Sequence, residues 1–249
     1  VIGDWHAWFI QQAGWTQPTR RWLYREARLG QAGNILEVGC GTGVIAEELA
    51  SSTPARVTGL DIDPAMLTLT KQQESRVTYV RGDAHALPFP NASFDAVVCH
   101  YLLLWLADPE QGVREMARVV RPKGCVLACA EPDYGGRIDH PPELVDLGQR
   151  QMEALRGQGA DPEIGRRLGE IFAAAGLRAV VGTMAGQWHV PAKPDGGFEA
   201  EWAMRKHDLA GLLSPEKMHQ LKAIDRQALA EGRRVLFVPT FYALGHTSD

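Results

Sequence analysis

The stretch ILEVGCGTG, residues 35–43, sets a short apolar run directly before three closely spaced glycines, and VIAEELA, residues 44–50, continues it as a helical pattern. A strand that feeds a helix through so tight a turn needs residues that tolerate positive φ, which Gly39, Gly41 and Gly43 supply. Glycines also let a ligand approach the backbone closely, and the unpaired amides that open the following helix favour an anionic group. The turn reads as a cradle for a small, partly anionic molecule.

Working outward, the run at Asn34–Val38 is followed by four more, at residues 56–60 (RVTGL), 77–81 (VTYVR), 95–100 (DAVVCH) and 125–130 (CVLACA). Their apolar residues are mostly continuous rather than alternating, as strands covered by helices on both faces require. Helix starts sit between them: Asp63-Pro64, Asp108-Pro109 and Asp161-Pro162 each offer a carboxylate to orphan amides and a proline suited to the first helical position. The helix after Asp108 gathers Val113, Met116, Ala117 and Val120 on one face, and the helix after Asp161 gathers Ile164, Leu168, Ile171, Phe172 and Ala175 before Gly176. Such alternation predicts an α/β fold, Rossmann-like and doubly wound, with a mostly parallel sheet and ligands at the carboxyl ends of its strands.

Residues 177–190 and 234–244 predict two further strands compatible with a closing antiparallel pair, separated by a helical stretch from about 198 to 230. Residues 1–30 carry Trp5, Trp8, Trp15 and Trp22 on helices too short to fold alone and read as an N-terminal cap. The remainder, 31–249, reads as one domain. A helix over residues 140–157 falls in an insertion at about 135–160, and a second insertion spans about 192–232. Both are expected to form a cap for the acceptor of whatever reaction the fold performs.

With 26 Lys and Arg against 30 Asp and Glu, a net charge of −4, 45% apolar and 22% charged residues, the 249-residue chain is not intrinsically disordered. Its length suits one large or two small domains. The arginine pairs 20–21, 166–167 and 233–234 are scattered, so no basic tract tracks a phosphate backbone and no nucleic-acid partner is expected. The most lipid-like segment, AVVCHYLLLWLA at residues 96–107, is too short to span a bilayer and contains His100, so no stable membrane insertion is expected. No secretion leader is visible, and a cytoplasmic location is the expectation. Cys40, Cys99, Cys125 and Cys129 form no CxxC pair and are expected as reduced thiols rather than disulfides or metal ligands.

The glycine turn by itself is ambiguous, because residues 41–46 also satisfy the G-x-G-x-x-G/A spacing of a dinucleotide fold. Asp61, about 20 residues on, suits ribose hydroxyls in either case. Glu37 breaks the tie in one direction, since its carboxylate could engage an ammonium group and would repel a pyrophosphate. Asp83 and Ala84, after the third strand, break it the same way: the carboxylate can accept from the exocyclic amine of an adenine and the amide can donate to its ring. Together they describe an adenosine bearing an amino acid.

At this point ILEVGCGTG (35–43), GLDIDPAML (59–67), GDAHALPFPNASFDAVVC (82–99) and VVRPKGCVL (119–127) resemble, in order, the motifs of class I S-adenosylmethionine-dependent methyltransferases. The likeness is nearest to the branch containing the ubiquinone and menaquinone biosynthesis C-methyltransferases. It covers residues 34–131, and FVPTFYALGH (237–246) resembles the antiparallel last strand of that branch's seven-stranded sheet. The resemblance implies that Gly39, Cys40, Gly41, Thr42 and Gly43 line the methionine end of the cofactor S-adenosyl-L-methionine, Asp61 holds its ribose, Ile62 flanks the adenine, and Asp83 with Ala84 reads the adenine edge. It also implies that His100 passes near the sulfonium.

Transfer to a small-molecule acceptor would be an in-line displacement, in which positioning supplies much of the catalysis and a base is needed only for an acceptor that holds its proton at neutral pH. His100, Asp133 and Tyr134 are the candidates to contact or deprotonate that acceptor. His189, beside Trp188, reads as half of a packed core pair. The rival functions are a protein that binds the cofactor without catalysis, which a closed cap would indicate, and an NAD(P)-dependent oxidoreductase, which stabilisation by NAD rather than by S-adenosyl-L-homocysteine would reveal. Monomer and homodimer stay open.

Overall fold

In the computed structural model, which describes residues 2–70, 75–187, 190 and 196–247, the five apolar runs become β1 (Asn34–Val38), β2 (Arg56–Asp61), β3 (Thr78–Arg81), β4 (Phe94–Cys99) and β5 (Val120–Pro132). The later strands are β6 (Ile138–His140), β7 (Arg178–Thr183), β8 (Val235–Phe237) and β9 (Thr240–His246). The helices are α1 (Ile2–Glu26), α2 (Val44–Ser52), α3 (Pro64–Thr70), α4 (Pro109–Val119), α5 (Val145–Gly157), α6 (Leu168–Ala174), α7 (Gly196–Asp208) and α8 (Pro215–Ala230). Trp188 and His189 lie outside the described residues.

Seven strands form one sheet in the order β3-β2-β1-β4-β5-β9-β7. β1 runs parallel to β2 and β4, β2 to β3, and β4 to β5, whereas β9 pairs antiparallel with β7. The Rossmann-like, doubly wound reading is thus correct, with its antiparallel last strand. Central strands bury consecutive residues, as in Ile35 and Leu36 of β1 or Val97, Val98 and Cys99 of β4, because helices cover both faces. All four cysteines are buried free thiols. Among the described residues no helix is long and apolar enough to cross a membrane.

The helix signals hold with two adjustments. Asp63 accepts from Ala65 N–H (2.8 Å) ahead of α3, and Asp108 caps α4 through Gln111 N–H (2.9 Å). Asp161, however, accepts from Glu163 N–H (3.0 Å) within a turn, and a 3-10 segment at Ile164–Arg167 intervenes before α6. The run at 234–244 is two strands rather than one: β8 pairs antiparallel with β6, and the chain rejoins the main sheet only at Thr240, after Pro239, which has no N–H to give a ladder. Likewise the helical stretch after residue 198 divides, with Ser214 capping α8 through Lys217 N–H.

The chain forms two compact units: one comprises the residues up to Glu131 with Ile164–Met184 and β9, and the other Pro132–Glu163 with Ala185–Pro239. In the second, Leu144, Leu147, Phe198, Trp202, Leu209 and Leu221 make an apolar core. Beside it Asp225, 1% exposed, accepts from Trp202 Nε1 (2.8 Å), Arg205 Nη1 (3.1 Å) and Arg234 Nε (2.6 Å). A buried guanidinium is tolerable only beside such a carboxylate. Asp225→Ala leaves the Trp202 indole N–H without its acceptor and Arg205 and Arg234 with Glu201 as their shared carboxylate, and we expect it to lower the unfolding free energy by about 1–3 kcal/mol; an unchanged urea midpoint would refute the assignment.

Candidate active site

The strand order reverses between β1 and β4, so the carboxyl ends of these two strands open the crevice where doubly wound sheets take ligands. At the tip of β1, Gly39 and Cys40 N–H both donate to the carbonyl of Leu60 (2.8 and 2.9 Å), folding the turn against β2. Gly39, Gly41 and Gly43 adopt φ of 73°, 51° and 86°. Space is the second constraint: a Cβ on Gly39 would sit 2.6 Å from Leu102, and one on Gly41 would sit 3.0 Å from Phe9 of α1. His6 of α1 shares a hydrogen bond with Thr42 (2.8 Å).

Glu37 is buried, with Ala46 N–H of α2 as a donor to it. Its Oε2 has no partner. Burial, and then the charge of Asp61, pushes the Glu37 carboxyl well above its ordinary range. Asp61 spans two loops, its Oδ2 accepting from Gly41 N–H (2.7 Å) and its Oδ1 from Asp63 N–H (2.9 Å). Next to it the side chain of Ile62 is 60% exposed, while Arg81 Nε donates to the Ile62 carbonyl (3.2 Å). After β3, Asp83 Oδ1 accepts from the His85 amide (2.9 Å) and from its Nδ1 (2.7 Å), which holds the Asp83 carboxyl below its ordinary range. Asp108 N–H donates to the other ring nitrogen of His85 (3.3 Å), and Ala84 is buried.

Beyond β4 the chain turns sharply, with Tyr101 at φ 52° and its N–H bonded to Ala130 O (2.9 Å). Glu131, ending β5, accepts from Leu102 (3.0 Å), Leu103 (2.9 Å) and Leu104 (3.3 Å) N–H. Burial nevertheless raises its carboxyl to about 7. His100 is partly buried; loss of water and the nearby Arg20 cation push its pKa down to about 3, so the ring is neutral at ordinary pH.

The first unit therefore brings together Glu37, the glycine turn, Asp61, Ile62, Asp83, Ala84 and His100. Residues 36–128 match the methyltransferase domain family. A demethylmenaquinone methyltransferase of Deinococcus radiodurans is 39% identical over 124 residues, 48% of this chain and 50% of that protein. Residues 36–128 are thus similar to a class I S-adenosylmethionine-dependent methyltransferase domain.

The YcgJ protein of Bacillus subtilis shares the fold of this chain with a TM-score of 0.60 at 20% identity, over 94% of this chain and 99% of that one. A phosphoethanolamine N-methyltransferase of Haemonchus contortus, solved with S-adenosyl-L-methionine, does so with a TM-score of 0.60 at 17% identity, over 95% of this chain and 53% of that one. The chain spans about half the length of the curated relatives it matches.

Asp133 and Tyr134 fall in the second unit, outside the methyltransferase domain's matched residues. Asp133 is buried and its N–H donates to Pro239 O (2.8 Å). Burial raises the Tyr134 hydroxyl, opposed by the cation of Arg137, which stacks 5.9 Å from the ring and grips Asp139 (2.7 Å). Sequence reasoning did not single out Glu131, Leu102, Thr16 or Arg20. Glu131 had a signal, a lone carboxylate closing an apolar strand; Thr16 and Arg20 had none, because their partners are distant in sequence.

Glu131 generates a pH-dependent term. Its carboxyl keeps the proton to about 7 in the fold against 4.5 for the ordinary group, so the native state holds more protons across that window and loses stability as pH rises through it. The loss is about 3 kcal/mol. Glu131→Gln, which does not titrate, should flatten the slope of urea-measured stability between pH 4.5 and 7; a variant with the wild-type slope would show that Glu131 is not its source.

Proposed function

We propose that the protein transfers a methyl group from S-adenosyl-L-methionine to a small-molecule acceptor. The observation that carries this reading is the unpartnered, buried Oε2 of Glu37 at the glycine turn. A buried carboxyl oxygen without a donor costs free energy until a cation arrives, and the cofactor's ammonium meets that demand as a pyrophosphate does not. When bound, the cofactor supplies a methyl group on a sulfonium, ready for in-line attack.

The rest of the row fits the same molecule. Asp61, with two lone pairs on each oxygen, can accept from ribose hydroxyls while keeping its two backbone amides. Exposed Ile62 offers an apolar face to a purine, and Asp83 with the Ala84 amide offers acceptor and donor to its edge. Gly39, Cys40, Gly41, Thr42 and Gly43 surround the amino-acid end.

His100 is the residue of the first unit proposed to address the acceptor; Asp133, Tyr134 and the insertions at about 135–160 and 192–232 belong to the second unit. A neutral His100 with a pKa of about 3 is a weak base, so it orients the acceptor rather than deprotonating it. The Deinococcus relative is named a demethylmenaquinone methyltransferase, and a partly apolar acceptor handled in the cytoplasm is the extension of that likeness to this chain.

Incubation of the protein with methyl-labelled S-adenosylmethionine and a metabolite extract should yield a labelled small molecule, identifiable by mass; an unlabelled extract contradicts the proposal. In calorimetry with S-adenosyl-L-homocysteine, Asp61→Ala should weaken binding by about 1–3 kcal/mol. Thermal stabilisation by NAD, with none by S-adenosylhomocysteine, would favour an oxidoreductase instead.

Glu37 adds a protonation signature. Burial shifts Glu37 toward its protonated form before binding, and the ammonium favours the ionised form, so binding should be accompanied by proton release and the calorimetric heat should depend on the buffer. Glu37→Gln should bind more weakly and lose that dependence; equal buffer dependence in both proteins would remove Glu37 from the site.

A further inference from the structure

α1 contains a threonine and an arginine one turn apart, and both are buried: Thr16 is 2% exposed and Arg20 0%. Arg20 Nε donates to Glu48 Oε1 of α2 (2.9 Å), and its Nη2 pairs with Glu48 Oε2. The remaining terminal nitrogen, Nη1, donates to the carbonyl of Ala13 (2.9 Å) and to the hydroxyl of Thr16. That hydroxyl lies 2.8 Å from Nε2 of His100.

The direction of the last hydrogen bond follows from the donors available. A threonine hydroxyl has one proton to give. The carbonyls of Ala13 and Gln12 are 3.4 and 3.5 Å from the oxygen, and that of Ala13 already accepts from the guanidinium. Nε2 of His100 is the nearer acceptor. A guanidinium donating to the hydroxyl oxygen also polarises it, strengthening its O–H as a donor and weakening it as an acceptor. The proton therefore points to His100, whose Nε2 is bare, and the ring's own proton resides on Nδ1. Among the described residues no protein group meets Nδ1.

We propose that Arg20, acting through the Thr16 hydroxyl, is a positioning residue that holds His100 as the Nδ1–H tautomer and so presents an N–H donor at the end of β4. This rests on the reading of His100 as an acceptor contact, and it specifies the chemistry met there: an acceptor molecule bearing an oxygen, sulfur or nitrogen with a lone pair free to take that hydrogen bond. Lys at position 20 would not reproduce the arrangement, since an ammonium lacks the planar fork that engages Glu48, Ala13 and Thr16 together.

The test is nitrogen-15 NMR of the histidine rings in the full chain, with the His100 signals identified by their loss in His100→Gln. Wild type should show His100 protonated on Nδ1 and bare on Nε2. Thr16→Val, which keeps the shape and removes the hydroxyl, should shift the ring toward Nε2–H, and Thr16→Ser should restore the wild-type pattern. Arg20→Lys should shift it in the same direction as Thr16→Val. An Nε2–H signature in wild type, or an unchanged Nδ1–H ring in folded Thr16→Val, overturns the proposal. Titration with S-adenosyl-L-homocysteine separates the two claims: a wild-type protein with the expected tautomer that fails to bind it refutes the methyltransferase function and leaves the tautomer relay standing.

Discussion

The carboxyl of Glu131 collects three successive backbone amides from the segment after β4, and the geometry of the crevice follows from that grip. Buried N–H groups must find acceptors, and the amides that open the 3-10 turn at Leu103–Trp105 have none within that turn. Held this way, the segment presents Leu102 against Gly39 so closely that no Cβ fits there, and it turns through Tyr101 in the left-handed region. The glycine turn at β1 and the His100 turn at β4 are therefore one packed unit. A change in either loop reaches the other through Leu102.

Burial works in one direction on the titratable groups around this crevice. It raises the carboxyls of Glu37 and Glu131 and lowers the imidazole of His100, so each is moved toward its neutral form. The proposed reaction turns a sulfonium into a neutral thioether, so charge disperses and no developing ion needs a counter-charge from these neutralised groups. Positioning and exclusion of water can then carry the rate.

Strands β1 to β5 and their helices were legible because continuous apolar runs and Asp-Pro pairs report local physics: burial on both faces and satisfaction of orphan amides. Glu37, Asp61 and Asp83 were legible for a related reason, since each stands within a few residues of a strand tip that the pattern places. The split of 234–244 at Pro239 was hidden, because a run of β-formers reads alike whether its two halves join one sheet or two. The single helix α1 was hidden too: Gly14 and Pro18 suggest interruption, yet tertiary anchors such as Leu23, buried to 0% exposure, and the Arg20–Glu48 pair override them. Contacts such as Thr16 to His100, 84 residues apart, leave no local trace.

The two buried arginines among the described residues, Arg20 and Arg205, show why α1 belongs to the electrostatics of the crevice. Arg205 faces the like charges of Arg137 and Arg234, and with burial these pull its pKa down despite Glu201 and Asp225. Arg20 has no such competitors, and its two-pronged contact with Glu48 keeps its pKa above the ordinary value. It is a fixed cation inside a region where its neighbours tend toward neutrality. Its field lowers the pKa of both His100 and Glu37. For the imidazole that means staying neutral; for the carboxyl it means ionising more readily when an ammonium arrives. One positive charge on α1 thus acts on two titratable groups of the crevice, favouring the neutral imidazole of His100 and the ionised carboxyl of Glu37.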